Sequence, residues 1–415
     1  MKRLSILITL FILTCSTLIG QESILLSGTV VDNESRQRLP AATVWINGTD
    51  MATVTNNKGE FSLRVPLNVK SDSISISYVG YKVYGLRISS LGSKHSDITI
   101  RLEQSPISLR QVTVHAGDAK SLVRLALRLI PDNYPNSPSN IVTFYREIIK
   151  KGSNYLALAE AVLFGYKSSY LGFGSDYATI YKGRRHIDYN RLDTLLFKLQ
   201  GGITTAFKLD VVRNPENLMF GKDLELYNFE YTTPDMLYDR FQYVVNFNQN
   251  KAAGDEILFR GRIYIDSESM AISRLEFFMN IEDNKAAENI FIRRKPPGVK
   301  ATPTRAHYVV EYKPSNNVWH FSYVKSEVQF RCRWPKRLFS STYSTISEMV
   351  VTDRITDRIE KIEPSSRVRS ADIIVEKLTD FTDQEFWQDY NIIEPDQSIE
   401  TIVKRIERQL KRRRN

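Results

Sequence analysis

Short runs in which apolar and polar residues alternate occur throughout residues 25–102. The clearest examples are residues 73–78 and Ile98–Leu102. Because successive side chains of a strand point to opposite faces, this period of two predicts strands with one buried face. Turn sequences, Asn47-Gly48 and residues 56–59, separate them. We predict a small antiparallel β-sandwich over residues 24–103.

A second set of strands, with longer apolar runs, follows over residues 141–355. Tyr, Phe, Val and Ile dominate these runs, and Gly, Asn, Asp and Pro separate them. Long antiparallel neighbours with few helices between them bend, so this region is predicted to be a large curved antiparallel sheet or a partial barrel. The predicted strands are 141–150, 155–170, 178–189, 225–231, 241–247, 256–266, 271–281, 306–312, 319–333 and 343–351.

One helix is predicted between the two β regions. Asp118 is a suitable N-cap, and Pro131 and Pro135 end the helix. Apolar residues recur after the cap at helical spacing, at Leu122, Leu125, Ala126, Leu129 and Ile130. The helix belongs to a connector over residues 104–140, which starts with a further strand or an extended segment at 104–115.

The N-terminus has the pattern of a secretory signal peptide over residues 1–20. Two basic residues precede an apolar stretch at 4–19, which is too short for a membrane span. We expect cleavage after Gly20 and an exported protein, located in the periplasm or associated with the outer membrane. A lipoprotein signal at Cys15 is disfavoured, because Thr14 stands where a small Gly, Ala or Ser is usual.

The formal net charge of +10 is concentrated at the C-terminus. Residues 404–415 contain seven basic residues and one acidic residue, and the sequence shows no nucleic-acid-binding motif, so we expect no nucleic-acid partner. Within the C-terminal segment, residues 356–415, a basic helix is predicted at 398–413. Its apolar face consists of Ile399, Ile402, Ile406 and Leu410. Such a helix either docks on the protein or makes peripheral contact with an anionic membrane.

Four motifs in order point to a known domain. They are SGTVVD at 27–32, LPAATV at 39–44, NKGEFSL at 57–63 and VGY at 79–81. Together they resemble the carboxypeptidase-regulatory-like domain. The resemblance implies a transthyretin-like sandwich of seven strands, found ahead of many envelope proteins of Bacteroidetes-type bacteria. It implies no peptidase activity, because the domain is an accessory to peptidases.

Two further resemblances concern the rest of the chain. Motifs at 118–123, 130–134, 144–147 and 386–395 resemble an uncharacterised β-rich extension that follows this sandwich in the same bacteria. The hairpin at 256–277 resembles part of the half-barrel of periplasmic lipoprotein carriers, in which a curved sheet wraps an apolar cavity around an acyl chain. This second resemblance is an analogy of fold, which does not carry function with it.

No catalytic, cofactor-binding or metal-binding residue is assigned from the sequence, the ligand-binding residues are unknown, and no cofactor is predicted. The histidines are isolated and start no HxxE or HExxH motif, so a metallocarboxypeptidase is disfavoured. They are His95, His115, His186, His307 and His320. Cys332 is the only cysteine of the mature chain and is interpreted as structural rather than nucleophilic. The string GFGSD at 172–176 lacks the second glycine of a hydrolase elbow and is interpreted as a loop.

Three functions remain open at this point. The leading hypothesis is a non-enzymatic cell-envelope binding or scaffolding protein whose larger β-domain takes another envelope protein or an apolar ligand. The alternative is a periplasmic lipid or lipoprotein carrier, which predicts a cavity lined by Phe, Tyr, Leu and Ile of the strands, with a helix as lid. The third is a glycan or peptide hydrolase that uses carboxylates without a motif. Its candidate carboxylates are Glu147, Glu160, Asp188 and Asp193.

Overall fold

Two β units make up the part of the chain that the structure describes. The structure is a computed structural model, and it describes residues 23–106, 118–187, 198–199, 202–218, 224–254, 256–281, 286–294, 297–335, 338–380, 387 and 390–395. The predicted signal peptide, most of the predicted segment at 104–115 and the predicted helix at 398–413 lie outside the described residues.

Seven strands near the N-terminus form two sheets. They are β1 (Ser23–Asp32), β2 (Thr43–Ile46), β3 (Ala52–Val54), β4 (Glu60–Pro66), β5 (Ser73–Ser77), β6 (Tyr84–Arg87) and β7 (Ile98–Leu102). The sheet orders are β4-β1-β7 and β3-β2-β5-β6, with a core of Leu26, Val44, Ile74 and their neighbours between them. The seven-stranded sandwich is thereby confirmed.

One pair of the sandwich differs from the antiparallel prediction. β1 and β7 run parallel, with Gly28 opposite Ile98 and Asp32 opposite Leu102. Parallel neighbours need a crossover between them, and here the intervening strands of the other sheet provide it. The predicted turns are present, since Gly48 and Gly59 both have positive φ, at 73° and 70°.

The predicted helix is present as α1 (Ala119–Arg128), and the Asp118 side chain accepts a hydrogen bond from Ser121 N at 2.6 Å. Its buried face was predicted one position away from where it lies. The buried residues are Ala119, Val123 and Ala126, while Leu125 is 38% exposed. A second short helix, α2 (Ile130–Asn133), follows, with Pro131 in its first turn, where a missing N–H is tolerated.

The second unit is a large open sheet in which all ten predicted strands are found. The strands are β8 (Ser139–Lys151), β9 (Asn154–Lys167), β10 (Tyr177–Ile187), β12 (Tyr227–Leu237), β13 (Arg240–Gln249), β14 (Phe259–Asp266), β15 (Ile272–Met279), β17 (Lys300–Ser315), β18 (Val318–Arg333) and β19 (Ser341–Ile355). Their order is β12-β13-β14-β15-β17-β18-β19-β8-β9-β10, and every neighbouring pair is antiparallel.

Small elements complete the unit. A short strand, β20 (Thr379–Asp380), pairs in parallel with β10, and β11 (Lys198–Leu199) pairs with β16 (Ile292–Arg294). The remaining helices are α3 (Ile203–Lys208), α4 (Ala286–Phe291) and α5 (Ile374–Lys377). Single-turn 3₁₀ helices lie at Ser89–Leu91, Pro215–Leu218, Leu224–Leu226 and Lys251–Ala253. Among the helices of the described residues, none has the length and apolar character needed to cross a membrane.

The two faces of the large sheet are covered differently. Tyr145, Leu163 and Met349 belong to the main core, which includes residues of α1, α3 and α5; we call this the inner face. Phe144 and Val162, their chain neighbours, pack with residues of the sandwich and of the C-terminal segment on the outer face. Alternation of side chains along the strands therefore gives each unit its own face.

Residues 387 and 390–395 lie between the sandwich and the outer face. The Trp387 ring packs edge-on against Phe144, at 5.6 Å between centroids, and Arg146 donates to the carbonyl of Glu394 at 3.2 Å. From the sandwich, the Thr53 hydroxyl donates to the carbonyl of Ile392 at 2.7 Å. The motifs at 144–147 and 386–395, far apart in sequence, thus meet and join the two units.

Candidate ligand-binding cavity

A cavity of about 780 Å³ lies at one end of the large sheet. Its walls come from the loop between β9 and β10, from α3 and from the segment that follows α3. The apolar lining residues are Ile130, Tyr170, Leu171, Phe173, Tyr177, Ala178, Ile203, Phe207, Val212, Pro215 and Val368. The polar and glycine lining residues are Gly172, Gly174, Ser175, Asp176, Thr204, Lys208, Arg213, Asn214, Glu216 and Ser370.

A buried lysine at the end of β9 holds the wall in place. Lys167 Nζ pairs with Asp176 in the loop and with Asp210 after α3, the latter at 2.7 Å. Burial acts to lower the pKa of Lys167, but the two carboxylates outweigh it and the pKa is raised. The ammonium therefore stays charged and ties both sides of the cavity to the sheet.

Asp210 connects this lysine to the core. Its carboxylate accepts hydrogen bonds from the hydroxyls of Tyr170 at 2.6 Å and Tyr312 at 2.8 Å. Burial, and after it the negative charge of Asp210, raises the pKa of both tyrosines well above the usual value. Both hydroxyls therefore remain protonated donors, and the carboxylate is fully hydrogen-bonded although it is buried.

Arg213 fixes the outer part of the loop. Its guanidinium donates to the carbonyls of Gly172, at 2.7 Å, and of Gly174. A Cβ atom at Gly174 would lie 2.2 Å from Ser168 Oγ, so the tight path of the loop requires glycine there. The charged groups of this wall are thus committed to holding the loop.

The mouth of the cavity is apolar. Leu171 is 55% exposed and Phe173 is fully exposed, whereas Ile203, Phe207 and Val212 are buried at the base. Ligand pockets typically measure about 300–1,000 Å³ and combine apolar walls with a few polar groups. The volume and lining of this cavity therefore suit an amphipathic small molecule.

The N-terminal sandwich has a family of its own. Residues 26–114 match the family model of the CarboxypepD_reg-like domain. The sandwich is a CarboxypepD_reg-like domain. The resemblance predicted from the four motifs is therefore confirmed for this part of the chain. None of the described residues that line the cavity belongs to the CarboxypepD_reg-like domain.

Two solved structures illustrate what the chain resembles in shape. One is a DUF1329 family protein from Desulfovibrio piger, with 11% identity and a TM-score of 0.27, where 59% of this chain and 96% of that chain are covered. The other is a LolA superfamily protein from Nitrosomonas europaea, with 6% identity and a TM-score of 0.23, where 59% and 96% are covered. Scores of this size carry no conclusion about function. No curated protein matches the chain in sequence.

The cavity agrees only partly with the one predicted for a carrier. Phe, Tyr, Leu and Ile do contribute to the lining, as predicted. However, they come mainly from a loop and a short helix, and the large strands contribute only Tyr177 and Ala178. The inner face of the sheet is instead covered by packed side chains such as Val123 and Phe207 of the helices.

The residues considered for chemistry are dispersed. Ser175 of the GFGSD loop lines the cavity, but none of the described lining residues is a histidine. His95 lies in the sandwich unit, and the other described histidines lie on three different strands: His186 on β10, His307 on β17 and His320 on β18. His115 is outside the described residues. Cys332 is buried in the core of β18.

The candidate carboxylates have structural partners. Glu160 lies between Arg146 and Arg184, at 2.6 and 2.8 Å; burial opposes ionisation, but the two guanidinium groups outweigh it and lower the pKa of Glu160. Glu147 accepts a hydrogen bond from the Tyr145 hydroxyl at 2.9 Å, and burial raises its pKa. Asp188 and Asp193 are outside the described residues.

Sequence reasoning missed the residues that build the cavity. Lys167 and Asp210 are 43 positions apart, and Arg213 reaches back to carbonyls about 40 positions earlier. No local motif indicates such pairs. The useful signal was the loop at 172–176, which the sequence placed correctly between two strands.

Proposed function

We propose that the chain is a non-enzymatic binding protein of the cell envelope, and that an amphipathic small molecule with an apolar chain occupies the cavity beside α3. The observation that carries this proposal is the cavity itself, about 780 Å³ in volume, with an apolar base and an apolar mouth. Apolar surface removed from water contributes about 25 cal/mol per Å², so an apolar chain gains most by entering such a space.

The charges of the cavity wall support binding rather than catalysis. Lys167, Asp176 and Asp210 bond to one another, and Arg213 bonds to loop carbonyls. These groups hold the wall in place, which is the arrangement expected of a preformed binding site. The envelope location rests on the N-terminal leader pattern of the sequence. A carrier would use the same cavity and would also exchange its ligand with a membrane.

A cavity-filling substitution tests the proposal. Val368 is a partly buried lining residue, so Val368→Trp is expected to fill part of the cavity and to weaken binding of a dansyl-labelled fatty acid at least about tenfold. The measurement is a fluorescence titration. Leu67→Trp, at an exposed position of the sandwich, is the matched control and is expected to bind like the wild type. Equal affinities of all three proteins, or no saturable binding, would contradict the proposal.

A further inference from the structure

The other end of the large sheet exposes two adjacent apolar side chains. In the connection between β18 and β19, Leu338 is 90% exposed and Phe339 is 83% exposed. Large apolar side chains that are adjacent and almost fully in water are typical of interaction surfaces. The Trp334 ring lies just before them and packs against Tyr343, at 5.6 Å between centroids.

Basic side chains surround this apolar tip. Lys300, Arg331 and Arg333 are all exposed, on the adjoining ends of β17 and β18. Lys150 and Lys151 end the nearby strand β8, and Lys151 is paired in register with Tyr343. No Asp or Glu occurs in residues 148–155, 297–304, 328–335 or 338–345. We call the exposed residues Lys300, Arg331, Arg333, Leu338 and Phe339 the basic end of the sheet.

The register of the strands sharpens this point. Lys300 lies directly opposite Arg333 in the β17–β18 pair. Like charges directly opposite each other in antiparallel strands destabilise the sheet. An anionic partner would remove this cost. α4 covers the inner face nearby, where Phe291 packs on Phe330 at 6.0 Å, so the tip and the outer face remain accessible.

We propose that the basic end of the sheet docks on the surface of an anionic lipid bilayer. Leu338 and Phe339 enter the boundary between head groups and acyl chains, while Lys300, Arg331 and Arg333 contact the phosphates. Basic residues with apolar side chains beside them match such a surface in both charge and polarity.

This docking would point the cavity away from the membrane. The turn at Gly152, at the start of β9, is bonded to Thr342 near the basic end, whereas the cavity loop follows the other end of β9. β9 has 14 residues, so the two ends are separated by roughly 45 Å. The bound protein would therefore present its cavity to the space beside the membrane.

Vesicle co-sedimentation of the exported, purified protein tests the proposal. We expect binding to phosphatidylglycerol-containing vesicles, little binding to phosphatidylcholine vesicles, and weakening by salt. Leu338→Ser with Phe339→Ser is expected to weaken binding at least about tenfold. Arg331→Gln with Arg333→Gln is expected to do so by about the same factor, since each basic residue near an anionic surface contributes about fivefold.

The cavity mouth provides a matched control. Leu171→Ser with Phe173→Ser removes the same two residue types from the opposite end and is expected to leave vesicle binding unchanged. Loss of binding in this control, but not in the Leu338/Phe339 variant, would overturn the proposal and place the membrane contact at the cavity mouth. Unchanged binding in all variants would overturn it in favour of the basic C-terminal helix. No binding to anionic vesicles would overturn it in favour of an acidic protein partner.

Discussion

Lys313 is a buried lysine at the boundary between the sandwich and the large sheet. It is 7% exposed, and among the described residues it has no hydrogen-bond or ion-pair partner; its Nζ lies 5.8 Å from the centroid of the Trp45 ring. Burial lowers the pKa of Lys313 to about 8. The folded protein therefore favours the neutral amine, while the unfolded chain keeps the ordinary pKa of 10.5.

This difference makes stability depend on pH. Between pH 8 and 10.5 the unfolded chain holds a proton that the folded protein has released, so the contribution of Lys313 to the free energy of unfolding rises with pH. Lys313→Met is expected to stabilise the protein at pH 7 by up to about 3 kcal/mol. That advantage over the wild type should shrink towards zero near pH 10.5, as measured by urea unfolding.

The control for this prediction is Lys300→Met, because Lys300 is exposed on a strand of the same sheet. Its stability difference from the wild type is expected to stay small at every pH. A stability difference for Lys313→Met that did not change between pH 7 and 10.5 would show that the proton equilibrium is not the cause.

The roles of single buried charges could not be predicted from the sequence. Glu160 was a candidate catalytic carboxylate, yet Arg146 and Arg184 pair with it from neighbouring strands. Alternation predicts which strand residues share a face, but it does not predict the order in which distant strands lie side by side. The partner of a buried charge depends on that order.

At the scale of elements, the sequence predicted types better than partners. All ten long strands and the capped helix were found, because alternation and capping are local. The parallel pairing of β1 with β7 was not, since it depends on a crossover through the other sheet. The face of α1 was predicted one position away, because small residues, Ala119 and Ala126, pack against the sheet where leucines were expected.

The N-cap of α1 provides a prediction for an element. Asp118→Ala removes the acceptor for Ser121 N and is expected to lower the free energy of unfolding by about 1 kcal/mol. Thermal unfolding followed by circular dichroism measures this loss. Asp132→Ala, at an exposed residue in the first turn of α2, is the control and should cost little. Equal losses in both variants would contradict the capping role.

In the whole molecule, Glu311 joins the sandwich to the large sheet. From β17 it accepts hydrogen bonds from the hydroxyls of Thr43 in the sandwich, at 3.0 Å, and of Tyr238, at 2.8 Å. It also forms an ion pair with Arg274 of β15. Trp45 of the sandwich packs edge-on against Tyr238, at 5.7 Å between centroids. The two units therefore share a buried, polar and well-bonded interface.

Removing this carboxylate should destabilise the whole protein. Glu311→Ala leaves Arg274 buried without its partner, and losses of about 3–5 kcal/mol are typical of such changes. Urea unfolding followed by tryptophan fluorescence measures the loss. Glu103→Ala, which breaks the exposed pair with Lys82, is the control and is expected to change stability by about 1 kcal/mol or less. A loss for Glu311→Ala no larger than that of the control would contradict the joining role.

Mass spectrometry tests the central claim most directly. The protein is purified from the envelope of its own cells and examined under native and then denaturing conditions, beside Val368→Trp prepared in the same way. We predict an amphipathic molecule that stays bound to the wild type, is released on denaturation, and is reduced or absent in the variant. A bare chain for the wild type, or equal amounts of the same molecule on both proteins, would contradict a ligand in the cavity.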